Sequence, residues 1–270
     1  MKHKRIVLLE IFLCCAVFGI ISGAISGLLG IGGGIVIVPF IAWLLSNNGM
    51  PADTIMQTAI ATSLATIIIT SLSSILAQQR RRAIKWPIVK ILTPGFAIGA
   101  WLGADLAHFL SSDLLAIIFG MFLLLNGLNM VIGLKTTSHR QLPSTLPLGI
   151  TGGLMGGLST LIGIGGGTLT VPYMIWHNVP VKNAIALGSA CGLPIALFGA
   201  LSFLVIGSQA DTLPVGNIGY INLPAFFGIS CTSLFSATLG VHMSHKIPTS
   251  ALKKIFSVIL IAVGLNMLIS

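Results

Sequence analysis

Polar positions divide this largely apolar chain into eight long hydrophobic segments. They lie near 6–30 (with a short continuation at 35–46), 55–77, 87–106, 113–134, 146–177, 183–207, 219–242 and 250–269. About twenty predominantly apolar residues, wound as a helix, cross a hydrocarbon core of about 30 Å. The pattern therefore predicts an all-α, polytopic membrane protein. The intervening polar stretches reach about a dozen residues, too short for a soluble domain.

Two segments carry an interruption. Gly27-Leu-Leu-Gly-Ile-Gly-Gly-Gly-Ile-Val-Ile-Val-Pro39 recurs 133 positions later as Leu-Ile-Gly163-Ile-Gly-Gly-Gly-Thr-Leu-Thr-Val-Pro172. Each glycine costs about 1 kcal/mol in helix propensity relative to alanine, so the runs break helices in segments 1 and 5. Unwound backbone at membrane depth survives only where protein or a wet cavity satisfies it, which makes paired breaks a pointer to a transport site.

The repetition extends further. Trp86-Pro87 matches Leu223-Pro224 at an offset of 137, Leu102-Gly103 matches Leu239-Gly240, and Gly127-Leu-Asn-Met130 matches Gly264-Leu-Asn-Met267. The chain thus divides into a first transmembrane repeat at 1–134, a polar linker at 135–145 and a second repeat at 146–270, with four hydrophobic segments in each repeat.

Loop charges suggest how the repeats are related. Lys2, Lys4, Arg5, Arg80, Arg81, Arg82 and Lys85 alternate with loops bearing Asp53, Asp105 and Asp113 in the first half. In the second, Asp211 stands where the arginines stood, and Lys182, Lys246, Lys253 and Lys254 occupy the formerly acidic loops. Cytoplasmic loops collect Lys and Arg, so the swap is the signature of inverted topology. Inversion needs an odd number of crossings per repeat. The expectation is that 146–177 dips in and returns while the first segment crosses, giving seven crossings, a cytoplasmic N-terminus and an opposed C-terminus.

Composition supports the membrane reading, with 55% hydrophobic and 7% charged residues against about 25% charged in soluble domains. The net charge of +9 does not indicate nucleic-acid binding, because the bases are thinly spread beside hydrophobic ends, where they serve topology. The basic start before an apolar run resembles a signal peptide, but the run continues into a glycine motif with a partner in the second half. Cys14, Cys15, Cys191 and Cys231 lie within apolar segments without metal-ligand spacing. The chain has no H-E-x-x-H, G-x-S-x-G or paired-carboxylate constellation, so neither an enzyme nor a cofactor is expected.

The candidate substrate-binding residues are Gly30, Gly32, Gly33 and Gly34 with Gly163, Gly165, Gly166 and Gly167. Free amides and the positive dipole end of the following half-helix attract an anion without any cationic side chain. Ser26 and Ser159 stand at equivalent places before the breaks; Thr62, Ser63 and Ser189 lie in the next segments. Their hydroxyls can line an oxyanion path or bond to neighbouring helices, and the glycines can serve close packing.

The doubled GLLGIGGGIVIVPF and STLIGIGGGTLTVPY runs, Thr58-Ala-Ile-Ala-Thr-Ser63, Lys85-Trp86-Pro87 and the closing Gly-Leu-Asn-Met resemble the TauE/SafE family of sulfite exporters. The resemblance implies a multi-pass inner-membrane permease for small sulfur oxyanions or organosulfonates, driven by an ion gradient. Its partners would be a small anionic solute and the lipid bilayer, with a homo-oligomer compatible. Where the family has a Gly-Thr-Ser-like element, this chain reads Ala-Leu-Gly188-Ser-Ala, so the hydroxyl lining is uneven. A passive anion channel and a non-transporting scaffold are the alternatives.

Overall fold

The computed structural model describes residues 2–29, 33–80, 82–132, 141–209, 216–243 and 249–269. Gly30, Gly32, Arg81, Asp211, Lys246 and most of the linker lie outside them. The chain is almost wholly helical, as the segments predict. Its helices are α1 (Lys2–Leu29), α2 (Gly34–Asn47), α3 (Ile55–Arg80), α4 (Trp86–Phe109), α5 (Ser112–Ile132), α6 (Thr145–Ile162), α7 (Gly167–Trp176), α8 (Val181–Gly207), α9 (Leu223–Met243) and α10 (Thr249–Ile269). A hairpin of β1 (Asn217–Ile218) and β2 (Ile221–Asn222) sits between α8 and α9, pairing Asn217 with Asn222 and Ile218 with Ile221. Seven described helices, α1, α3, α4, α5, α6, α8 and α9, are long and apolar enough to cross a bilayer.

Without water to drive apolar surfaces together, helices in lipid pack through small residues that let backbones approach. Gly95, Gly99 and Gly103 of α4 face the backbone of Gly149, Gly153 and Gly157 of α6, so these two helices run parallel. Gly19 and Gly23 of α1 face Ile229, Thr232, Ser233 and Ser236 of α9, also in parallel. The two interfaces correspond. A methyl on Gly152 would meet the Leu92 carbonyl oxygen at 3.0 Å, and one on Gly19 would meet that of Ile229 at 2.8 Å. These pairs are related by the sequence offsets of 133 and 137.

The equivalent helices α3 and α8 run antiparallel, because Gly199 meets Leu64 while Gly192 meets Ser71. Likewise α5 and α10 run antiparallel, with Gly120 beside Leu268 and Gly127 beside Ile261.

Both broken segments fold back on themselves. The Phe18 and Phe40 rings stack with centroids 3.7 Å apart, which brings α2 back along α1. Tyr173 of α7 returns to Thr151 of α6, their hydroxyls 3.4 Å apart. The second segment folds back as expected, but the first segment also turns back, and the described chain ends consequently share one end of the bundle. Leu268 lies beside Gly120 in the first half of α5, whose Ser112 binds the Asp53 carbonyl and Gln57 side chain near the start of α3. Thr62 of α3 binds the Asn222 amide just before α9, and Gly216, joined to Leu223 by a backbone hydrogen bond, lies against Leu8. The stacked return of α2 removes the extra crossing on which opposed termini depended.

The α4–α6 interface makes an asymmetric prediction. The Cβ of Gly99→Ala would run into the Gly153 carbonyl, whereas that of Gly153→Ala meets only the Gly95 oxygen at 3.6 Å. Gly99→Ala should destabilise by about 1–3 kcal/mol, as overpacking does. Gly153→Ala should leave thermal unfolding in detergent unchanged or slightly raised.

Candidate functional site

The two hairpin tips meet within the bundle. A methyl on Gly34 would lie 2.5 Å from the Gly163 carbonyl oxygen and 3.1 Å from the Ile164 Cα. The Ser63 hydroxyl, 2.9 Å away, donates to that same carbonyl. The glycines of the two runs are therefore neighbours in space.

The local chemistry of the second break is resolved. Gly163 adopts φ 71° and ends α6; its N–H donates to the Thr160 carbonyl at 3.1 Å, and the Ile164 N–H donates to that of Ser159 at 2.8 Å. This is a Schellman ending, which satisfies terminal carbonyls and favours glycine at the left-handed position. The next helix opens with Gly166 at φ −55° and Gly167 as its first residue. In the first break, Gly33 takes the left-handed conformation (φ 75°) and its carbonyl accepts from Val36 and Ile37. Gly33 is thus left-handed where its repeat equivalent, Gly166, is right-handed helical.

Helix α3 runs past both tips. Its buried hydroxyls recur every fourth residue at Thr58, Thr62, Thr66, Thr70 and Ser74, with Ser63 and Ser71 beside them. The equivalent row on α8 reads Ala184, Gly188, Gly192, Ala196 and Ala200. One half supplies polar groups and the other supplies room. Where the rows pass the second tip, a small cavity of about 10 Å³, room for a water molecule, is lined by Ser71, Ser74, Gly165, Gly167, Gly188, Ser189 and Gly192.

The expected residues divide among several roles. Gly34 meets Gly163 at the contact between tips, Gly33 lies against Ser22 and Ser26, and Ser63 is bound to Gly163. Gly165, Gly167 and Ser189 line the cavity, while Gly166 packs against Cys191 and Gly192. The hydroxyls of Ser26 and Ser159 are buried with no hydrogen-bond partner among the described residues, as are those of Thr168 and Thr170 in the first turn of α7. Ser189 donates to the Ile185 carbonyl of its own helix at 3.2 Å. Thr62 lies apart from the cavity and accepts from the Asn222 amide at 2.9 Å. Ser71 and Ser74 also line the cavity, and the glycine runs do not point to them. The fourfold hydroxyl spacing along α3 is the signal that would have found them.

Beyond Thr62, the β-hairpin closes the end of the bundle where the chain begins. Tyr220 and Asn222 are buried there, and the Tyr220 N–H reaches the Phe203 carbonyl at 3.4 Å. The Tyr220 hydroxyl lies 3.1 Å from Nδ1 of His108. Burial, with a smaller contribution from Asp53, pushes the Tyr220 phenol above its usual range, so it stays protonated at neutral pH. Among the described residues, no cluster of His, Cys, Asp or Glu is arranged to hold a metal ion.

The comparisons with known proteins agree with this architecture. A model of the family described as "Sulfite exporter TauE/SafE" matches residues 15–267. The chain belongs to the TauE/SafE family. A probable membrane transporter protein of Haemophilus influenzae is 35% identical over 256 residues, covering 94% of this chain and 97% of the relative. A probable membrane transporter protein of Methanocaldococcus jannaschii is 30% identical over 257 residues, with 94% of each chain covered. A third, from Bacillus subtilis, is 27% identical over 277 residues. No solved structure matches. The chain is thus a multi-pass membrane transporter of the TauE/SafE family.

The contact between tips is testable in this family member. Ser63→Ala leaves the buried Gly163 carbonyl without its side-chain donor and should cost about 1–3 kcal/mol. Gly34→Ala should cost at least as much, because its methyl meets backbone. Both should lower the unfolding temperature of purified protein, whereas Ser73→Ala, a half-buried neighbour on α3, should not.

Proposed function

We propose that this TauE/SafE protein carries small oxyanions, sulfite or organosulfonates, across the inner cell membrane under an ion gradient, binding them at the two glycine breaks. The observation that carries the reading is the meeting of the Gly33–Gly34 and Gly163–Gly167 tips beside buried hydroxyls. Helix starts and free hydroxyls are neutral donors suited to an anion at low dielectric. The direct Gly34–Gly163 contact closes the centre of the bundle, which favours alternating access over a passive channel.

The same reading treats 1–134 and 146–270 as inverted repeats. Its support is that α3 and α8, and α5 and α10, are equivalent pairs that run antiparallel. Each repeat then contributes one re-entrant hairpin and three crossings, the odd number that inversion requires. It also sets an orientation. Arg80, Arg82, Lys85, Lys90, Lys182, Lys253 and Lys254 fall at one end of the bundle, with no described Asp or Glu. The other end carries Asp53, Asp105 and Asp113, opposed by Lys2, Lys4 and Arg5. The positive-inside tendency assigns the first end to the cytoplasm. Both termini then lie outside the cytoplasm, the reverse of the N-terminal orientation expected when the first segment was read as a crossing. The small hydroxyl-lined cavity lies in the cytoplasmic half.

Two experiments test this. Alkaline phosphatase fused to the C-terminus should be active, and a cytoplasm-only fluorescent reporter at the same place should be dark; the opposite result reverses the orientation. In proteoliposomes, sulfite flux should require an imposed proton or sodium gradient and fall at least about tenfold in Gly33→Leu and Gly166→Leu proteins that remain monodisperse. Flux without any gradient would identify a channel, and absence of flux for every sulfur oxyanion would favour a scaffold.

A further inference from the structure

We propose that the β-hairpin between α8 and α9 is a hinged plug, latched by Tyr220, whose withdrawal uncovers a polar passage at the end of the bundle that holds the described chain ends. This rests on the transport reading above and deepens it by naming the moving part. Residues 81–85 suffice to join α3 to α4, whereas 208–222 join their equivalents α8 and α9 and include the hairpin. The connection alone does not require that extra chain. Its described part closes on itself: the Leu223 N–H donates to the Gly216 carbonyl at 2.9 Å, and Gly216 takes φ 101°, a conformation that favours glycine. A loop pinned at its base can swing as one body about a few residues there.

A few bonds hold the hairpin in place. The Asn222 N–H donates to the Thr62 hydroxyl at 2.9 Å, the Tyr220 N–H reaches the Phe203 carbonyl at 3.4 Å, and the Tyr220 hydroxyl lies 3.1 Å from Nδ1 of His108. The Tyr220 ring is buried edge-on to Phe203, whereas His108 is exposed, so water competes for the latch from outside. Elsewhere the hairpin meets α8 through Gly207 and Gly219, backbone against backbone, a contact that parts without repacking side chains. Polar groups are left over around it. The hydroxyls of Thr58 and Ser202 and the Asn217 side-chain amide are buried with no hydrogen-bond partner among the described residues. The register that sets Gly192 beside Ser71 and Gly199 beside Leu64 puts Ser202 close to the level of Thr62, with Thr58 one turn farther out. A dry polar group keeps its desolvation cost until water reaches it, so these groups oppose closure. The plug is also tied to the tips. Ser63, next to Thr62 on α3, donates to the Gly163 carbonyl at 2.9 Å, so a shift of that turn which frees the plug also disturbs the contact between tips.

The test reads opening directly. Ser202→Cys, a small change beside the plug, would be made in the full chain, held in lipid nanodiscs and exposed to a membrane-impermeant methanethiosulfonate reagent. Mass spectrometry of the peptide carrying residue 202 separates its labelling from that of the native cysteines. Where the plug opens and closes faster than the thiol reacts, the labelling rate follows the open population. Adding Tyr220→Phe keeps the ring and removes the latch; it should speed labelling about three- to tenfold, the equivalent of one hydrogen bond. Tyr173→Phe, which removes a phenol contact at the opposite end, should leave the rate unchanged. In a second arm, Thr62→Cys and Asn222→Cys bridged by a disulfide should abolish counterflow of radiolabelled methanesulfonate in proteoliposomes, and reduction should restore it. Size exclusion and thermal unfolding would establish that the variants fold. Equal labelling with and without Tyr220→Phe overturns the latch. Full counterflow through the bridged protein overturns the plug, and either result leaves the broader transport reading standing. Absence of counterflow for every sulfur oxyanion before bridging overturns that reading, and the labelling rates then decide the plug alone.

Discussion

Everything in this fold depends on satisfying backbone amides and carbonyls where the bilayer supplies no water. An unbroken helix meets that demand within itself; a glycine run does not. The protein answers by pressing its two breaks together, so that each tip is shielded by the other and by α3. The Schellman ending at Gly163 saturates the end of α6, and the Ser63 hydroxyl caps the Gly163 carbonyl from the opposite half. Helix α3, which runs past both tips, supplies that last donor.

That constraint explains the division of labour between α3 and α8. Both pass the tips, yet α3 brings hydroxyls at every fourth position and α8 brings Ala and Gly. Antiparallel packing of a polar row on a small-residue row gives close approach and leaves space only where two small residues coincide. The cavity opens beside Gly188 and Gly192 for that reason. The opposite end is filled instead by the β-hairpin, whose Asn222 amide is held by Thr62 and whose Tyr220 is wedged near Phe203. The two ends of the α3–α8 pair therefore differ, one bearing the cavity and the other filled by the hairpin.

Much of this was legible in the residues. Segment lengths and the glycine runs identified the helices and the breaks, because membrane helices impose long apolar windows and breaks impose glycine. The site was only half legible. The glycines announced themselves, but Ser71 and Ser74 carry no motif, and their place at the cavity comes from facing Gly192 across a helix pair. Thr62 shows the opposite failure, since its place next to Ser63 suggested the pathway while its hydroxyl serves the hairpin. The path of the first segment was misjudged for a related reason. A length of 28 residues in α1 is enough to cross, and only the stacking of Phe18 on Phe40 reveals that the chain turns back.

The sequence by itself determined that this is a helical membrane transporter with two glycine breaks, because hydropathy and helix propensity act locally and residue by residue. Tertiary structure decided the remainder: that the breaks touch, that the described chain ends share one end of the bundle, and that one half's hydroxyls face the other half's vacant side-chain positions. Those are relations between residues more than a hundred positions apart, and such relations are set by packing, which no local pattern encodes.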